Sequence, residues 1–228
     1  MDILVTGGSG FVGRWLQETQ PDGMSVRYLN KKDYENGHWE WYDWDAVIHC
    51  ANVSPLRVIQ NHKGKLLYIS SGAVYDGVSE YAANKRKWEA MCPNGSVIAR
   101  LFTFIGEGLK NEYAITKFVE AAKQGNPIEV WGDGTAVRSY LHGFDLGTWL
   151  WKLLEDVGRY DVGSDIPYNM LSIAGMVADV YGIKSIHILN DGYPQSTYLP
   201  DTTRAKELGC EETIGLRESI ERTKHEGI

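Results

Sequence analysis

The first thirteen residues, Met1-Asp2-Ile3-Leu4-Val5-Thr6-Gly7-Gly8-Ser9-Gly10-Phe11-Val12-Gly13, constrain this chain most. An apolar, strand-forming run enters a glycine cluster and leaves it as Phe11, Val12, Trp15 and Leu16, spaced as on a helix. Strand, tight turn and helix in that order are half of a βαβ unit. Two glycine spacings coexist, Gly8-x-Gly10-x-x-Gly13 and Gly7-x-x-Gly10-x-x-Gly13. Either lets the chain turn without a Cβ clash, a pyrophosphate approach the backbone and the helix pack closely on its strand. The first helical N–H groups then face the phosphates with the positive end of the helix dipole behind them. Gly7, Gly10, Phe11, Val12 and Gly13 are therefore candidate dinucleotide contacts, against the plainer reading of a glycine-rich turn with no ligand. A nucleotide-hydrolase loop would need Lys and then Ser or Thr after Gly13, where Arg14 and Trp15 stand. A hydrolase serine elbow would need a glycine two residues after Ser9, where Phe11 stands.

With 228 residues and 43% apolar content, the chain can bury a full core. A formal charge of −7 and the lack of a long basic run argue against nucleic acid as a partner. No apolar run approaches membrane-spanning length, and Met1 sits almost on the first strand; a cytoplasmic protein without a leader segment or a membrane partner is expected. Cys50, Cys92 and Cys210 show no paired spacing and predict buried free thiols, and the six histidines show no ligand spacing, so no metal site is expected. Eight tryptophans, with Trp39, Trp41 and Trp44 clustered, predict packing.

Further along, Ser25 to Asn30 reads as a second strand. In a NAD-binding unit an acid at its tip would accept the adenosine ribose hydroxyls, but Asn30, Lys31 and Lys32 come before Asp33. Two cations there favour a 2′-phosphate and hence NADP(H); NAD(H) is the alternative, with Asp33 as the acid if the strand runs longer. Asp45 to Asn52 is a near-continuous apolar run, as a strand buried on both faces of a parallel sheet should be, and its small end at Ala51 lets a cofactor approach. Residues 53 to 62 allow only a short helix. Lys65 to Gly72 is the next buried strand, opening into polar residues at its carboxyl end, the edge where doubly wound sheets bind ligands. Ser79 can cap a helix that Pro93-Asn94-Gly95 ends. Tyr81, Lys85 and Trp88 share one face of it, and an ammonium one turn from a phenol favours the phenolate, making the tyrosine a usable general acid or base. Tyr28 and Lys32, and Tyr113 and Lys117, have the same gap. Only Tyr81 follows a strand whose carboxyl end offers a hydroxyl, Ser71. Helices are expected over Tyr113 to Gln124, Phe144 to Asp156 and Leu171 to Tyr181, and a late strand over Ile186 to Leu189.

Thr6 to Gly13, Asp45-Ala46-Val47-Ile48-His49, Ser70 to Tyr75 and Tyr81-x-x-x-Lys85 together resemble the extended short-chain dehydrogenase/reductase family, the NAD(P)-dependent epimerases and dehydratases of nucleotide sugars. Ala99 to Gly106, Trp131 to Leu146 and Pro200 to Gly209 continue the resemblance to the end of the chain. The resemblance implies a doubly wound, Rossmann-like α/β fold in one unit, with a core mainly over 1–125 and 136–160 and a small interleaved substrate lobe mainly over 126–135 and 161–228. Carried over, Tyr81 would be the general acid/base and Lys85 would assist it while holding the nicotinamide ribose. Ser71 would hydrogen-bond the reacting oxygen, and Asn52, Thr103 and Arg138 would meet the substrate, Arg138 at its diphosphate.

Some positions depart from the family pattern. Gly72 and Ala73 follow Ser71 where family dehydratases carry acids, so 4-epimerisation or 4-keto reduction is favoured over dehydration. Thr103 stands where many members have asparagine, and the stretch from Ser71 to Tyr81 is short. The resemblance also implies a homodimer, through a helix that is short here at 53–62. A cofactor-binding sensor without turnover is the alternative from another class.

Overall fold

Ala46–His49 is buried at each of its positions and Lys65–Ser71 at all but its ends, which is what strands with sheet neighbours on both sides and helices on both faces require. The computed structural model describes residues 1–75, 77–110, 112–189, 196–225 and 228. The chain divides into two compact units, each built from three segments.

The first unit comprises Met1–Phe102, Phe144–Val162 and Asp201–Glu211. It begins with β1 (Asp2–Thr6), α1 (Phe11–Glu18), β2 (Ser25–Leu29) and α2 (Lys31–Asn36), followed by β3 (Ala46–His49), α3 (Leu56–Asn61), β4 (Lys65–Ser71), α4 (Glu80–Met91) and β5 (Val97–Leu101). The strand Gly158–Val162, β5, β4, β3, β1 and β2 form a six-stranded sheet in that order, parallel throughout. Strand order reverses between β1 and β3, and the carboxyl ends at such a switch point form the ligand crevice of a doubly wound sheet. On one face Leu4, Leu29, Trp39, Val47, Val58 and Leu66 make a buried cluster, with Trp44 packed against it. The packing expected of the tryptophans thus holds for Trp39 and Trp44; the side chain of Trp41 lies outside the described residues. All three cysteines are free thiols, Cys210 buried and Cys50 and Cys92 half-buried.

The second unit comprises Thr103–Gly143, Gly163–Pro200 and Glu212–Ile228. Here α5 (Ala114–Lys123) packs against α6 (Met170–Tyr181), burying Ile115, Phe118 and Val119 on one and Ile173, Ala174 and Val177 on the other. Ile128–Trp131 pairs in parallel with Ile186–Leu189. Segments 103–125 and 136–143, read from the sequence with the core, group with this unit.

Two local features differ from the sequence reading. The sixth strand of the main sheet, Gly158–Val162, carries Arg159 and Asp161 and lacks the long apolar run of its neighbours, so periodicity gives no signal for it. After β2 the chain turns directly into the six-residue α2. No helix among the described residues is long and apolar enough to cross a membrane.

Candidate active site

The turn after β1 needs the glycines of both spacings: a Cβ on Gly8 would lie 2.8 Å from the Tyr28 Cβ. Gly7 has φ 73°, and a Cβ on it would lie 2.8 Å from the Ala51 nitrogen at the tip of β3. A Cβ on Gly13 would lie 2.5 Å from the Gly7 carbonyl oxygen and from the Gly8 Cα, so α1 can rest on the turn only with glycine there. Gly10 closes the turn by donating its N–H to the Gly7 carbonyl at 3.0 Å and caps α1 without a side-chain acceptor. The first turn of α1, with the half-buried Phe11 and Val12, holds no acidic residue. These are the features a dinucleotide pyrophosphate needs: backbone with no Cβ in the way and a helix N-terminus that no side chain caps. The residues fit a dinucleotide.

The tip of β3 is locked to this turn by a chain of hydrogen bonds. The Thr6 hydroxyl oxygen lies 2.8 Å from His49 Nδ1, and His49 Nε2 lies 3.2 Å from the Val53 carbonyl. A carbonyl only accepts, so Nε2 carries the proton, Nδ1 accepts from Thr6, and the Thr6 oxygen is left to accept the Ala51 N–H at 3.4 Å. Burial pushes His49 down to about 4, which keeps the ring neutral for this role. Ala51 is half-buried and Asn52 exposed beside it. Periodicity gave His49 no role; its signal was a lone polar residue in an otherwise apolar strand.

Beyond β2, Asn30 is taken up as the N-cap of α2, accepting the Asp33 N–H at 3.0 Å. Lys31 and Lys32 occupy the first turn, both exposed, with Lys31 3.8 Å from Glu35.

Ser79 caps α4 as expected, accepting the Ala82 N–H at 3.2 Å. Tyr81 is 44% exposed, whereas Lys85, one turn on, is 3% exposed. The Lys85 ammonium donates to the Ile69 carbonyl at 2.9 Å and lies 5.7 Å from the Tyr81 ring centre and 5.2 Å from that of Tyr68. Burial pushes Lys85 down to about 8, with Cys50 and Glu89 opposing that shift. At the end of β4 the Ser71 oxygen accepts the Ala73 N–H at 3.2 Å, which leaves its own proton to donate.

The short connection from Ser71 to Tyr81 is held by partners that the sequence did not announce. The Tyr75 hydroxyl donates to Asp161 at 2.8 Å and accepts from Arg100 at 2.8 Å. Arg86 on α4 donates to the Val74 and Gly77 carbonyls. Behind them the buried Glu89 carboxylate takes two bonds from Arg100, at 3.0 and 2.7 Å, and one from Ser70 at 2.6 Å. Tyr81, Lys85 and Glu89 are successive i, i+4 positions, so helical spacing alone could have drawn in Glu89.

In the second unit Thr103 and Arg138 line one cleft of about 1090 Å³. The Thr103 hydroxyl donates to the Ser139 carbonyl, leaving only its lone pairs. Arg138 donates to the Val137 and Ser196 carbonyls and to the Ser196 hydroxyl, at 2.7, 2.9 and 2.9 Å. Trp131, 59% exposed, lines the same cleft; strand alternation in Ile128-Glu129-Val130-Trp131 was the signal for it.

Residues 47–166 match the family model "NAD dependent epimerase/dehydratase family". The low-salt glycan biosynthesis protein Agl12 of Haloferax volcanii is 23% identical, with 97% of this chain and 96% of that protein aligned. That alignment runs over 300 positions, more than this chain has residues, so length is lost within it. UDP-glucuronic acid decarboxylase 4 of Arabidopsis thaliana is 31% identical over 54% of this chain, which spans 29% of that protein. Among solved structures, RMD of Pseudomonas aeruginosa in complex with NADPH superposes with a TM-score of 0.80 at 24% identity, covering 96% of both chains. UDP-glucuronic acid 4-epimerase of Bacillus cereus in complex with NAD gives 0.81 at 20% identity, covering 97% of this chain and 96% of that one. These likenesses establish the same fold, and the model's match to more than half of the residues establishes the lineage: the chain belongs to the NAD dependent epimerase/dehydratase family, as a member shortened from within.

Proposed function

We propose that the protein is an NAD(P)-dependent 4-epimerase or 4-keto reductase acting on a nucleotide-linked sugar. The observation that carries this reading is the exposed phenol of Tyr81 beside the buried ammonium of Lys85, which is itself bonded to the Ile69 carbonyl of β4. A bound nicotinamide cofactor would supply hydride donation and acceptance at the sugar carbon. Tyr81 takes the proton of the sugar hydroxyl as hydride leaves and gives it back as hydride returns, and Lys85 stabilises the phenolate present before the first step and after the second. Ser71 donates its remaining proton to the same oxygen. Elimination of water would need a further acid and base, and Gly72 and Ala73, which follow Ser71, supply neither.

The glycine turn, Ala51 and the first turn of α1 would hold the dinucleotide. Lys31 and Lys32 favour the 2′-phosphate of NADP(H), since Asn30 is spent on the Asp33 N–H. With NADP(H), net reduction is favoured over epimerisation. In the second unit Arg138 keeps two N–H groups for a diphosphate after its three bonds to Val137 and Ser196. The protein works as a monomer in this reading. A dimer through α3 and α4 would rest on a six-residue helix and on a face that presents Ala83, Arg86, Lys87 and Ala90.

Tyr81→Phe tests the proposal. Turnover should fall by a factor of about 10² to 10⁴ while cofactor affinity stays within about twofold. An unchanged rate would remove Tyr81 from the chemistry and favour a protein that binds cofactor without turning over.

A further inference from the structure

We propose that the nucleotide held by the second unit's cleft is a guanosine diphosphate and that Glu129 reads the base. This deepens, and rests on, the nucleotide-sugar reading above. The strand Ile128–Trp131 buries Ile128 and Val130 and exposes Glu129 and Trp131, so the pleat sets the carboxylate and the indole on one face, about 7 Å apart. Both line the cleft that also contains Arg138. A large exposed indole in a cleft with a guanidinium is suited to stacking a base while the arginine meets its diphosphate.

A base lying on Trp131 turns an edge toward Glu129. An ionised carboxylate only accepts hydrogen bonds. Guanine offers two adjacent donors, N1–H and the N2 amino group, that match its two oxygens. Uracil and thymine flank their single N3–H with carbonyl oxygens, which a carboxylate repels. The other nearby acid on this loop, Asp133, is already occupied by the Thr135 N–H and hydroxyl at 2.9 and 2.6 Å. Glu129 has no hydrogen-bond or ion-pair partner among the described residues.

Isothermal titration of GDP, UDP and dTDP into the full chain saturated with NADPH tests this, because the cofactor keeps the nucleotides out of the dinucleotide site. GDP should bind about tenfold or more tighter than UDP or dTDP. Glu129→Gln should erase most of that margin by weakening GDP and, with the repelling charge gone, tightening UDP, while NADPH stays unchanged. Trp131→Ala should weaken all three diphosphates alike. UDP or dTDP binding as tightly as GDP, or a GDP preference that survives Glu129→Gln, would overturn the guanine assignment while leaving the nucleotide-sugar reading standing. Binding of NADPH with none of the three diphosphates would instead defeat that reading, and this inference with it.

Discussion

Lys85 is a cation with 3% of its surface exposed, resting among Tyr68, Tyr81 and Trp88. Its position below the ordinary 10.5, at about 8, means that between those values the unfolded chain keeps the proton and the folded chain releases it. Stability therefore rises with pH across that window, and at or below about pH 8 the full cost of a buried charge is present, about 3 kcal/mol. Lys85→Met should remove that cost together with the Ile69 hydrogen bond. Expected is a net gain in urea-unfolding stability at pH 7 that shrinks toward zero by about pH 10.5, with turnover abolished. A variant less stable than the parent at pH 7 would show that Lys85 is held for folding. The pairing of Tyr81 with Lys85 was legible because i, i+4 neighbours meet on any helix. The exposure of one and the burial of the other were not, since they depend on β4 lying underneath.

At the scale of an element, α2 places two cations where a helix least favours them, at its positive end. The Lys31–Glu35 pair is exposed on both sides, and with it only Asp33 in the same first turn offsets part of this. Folding does not require the arrangement, and a 2′-phosphate would relieve it. Replacing Lys31 and Lys32 together with alanine should weaken NADPH by about tenfold or more and NADH by much less, read as dissociation constants from nicotinamide fluorescence. Equal losses would refute the phosphate assignment. β3, β4 and α4 were readable as apolar runs and a capped helix, whereas α2 is too short for a period to emerge. Gly158–Val162 was hidden for another reason: Asp161 is tolerated there because Tyr75 and the Asp201 N–H, both distant in sequence, satisfy its carboxylate.

For the whole molecule, a monomer is expected. A stable interface buries roughly 800 Å² on each partner, and the α4 face would have to desolvate Arg86 and Lys87 to reach it. Light scattering should give a mass near 25.6 kDa across micromolar concentrations. Twice that mass would place a partner on the surface in spite of those charges. The sequence by itself determined the glycine turn, the buried parallel strands and the helix carrying Tyr81, because each follows from the backbone freedom or side-chain period of a dozen neighbouring residues. Tertiary structure alone decided that Thr6 meets His49, that Ser70, Arg100 and Asp161 form one row across three strands, and that Glu89 and Tyr75 close it. A charge or hydroxyl can be buried only where a partner from another part of the chain arrives, and local pattern does not encode which partner that is.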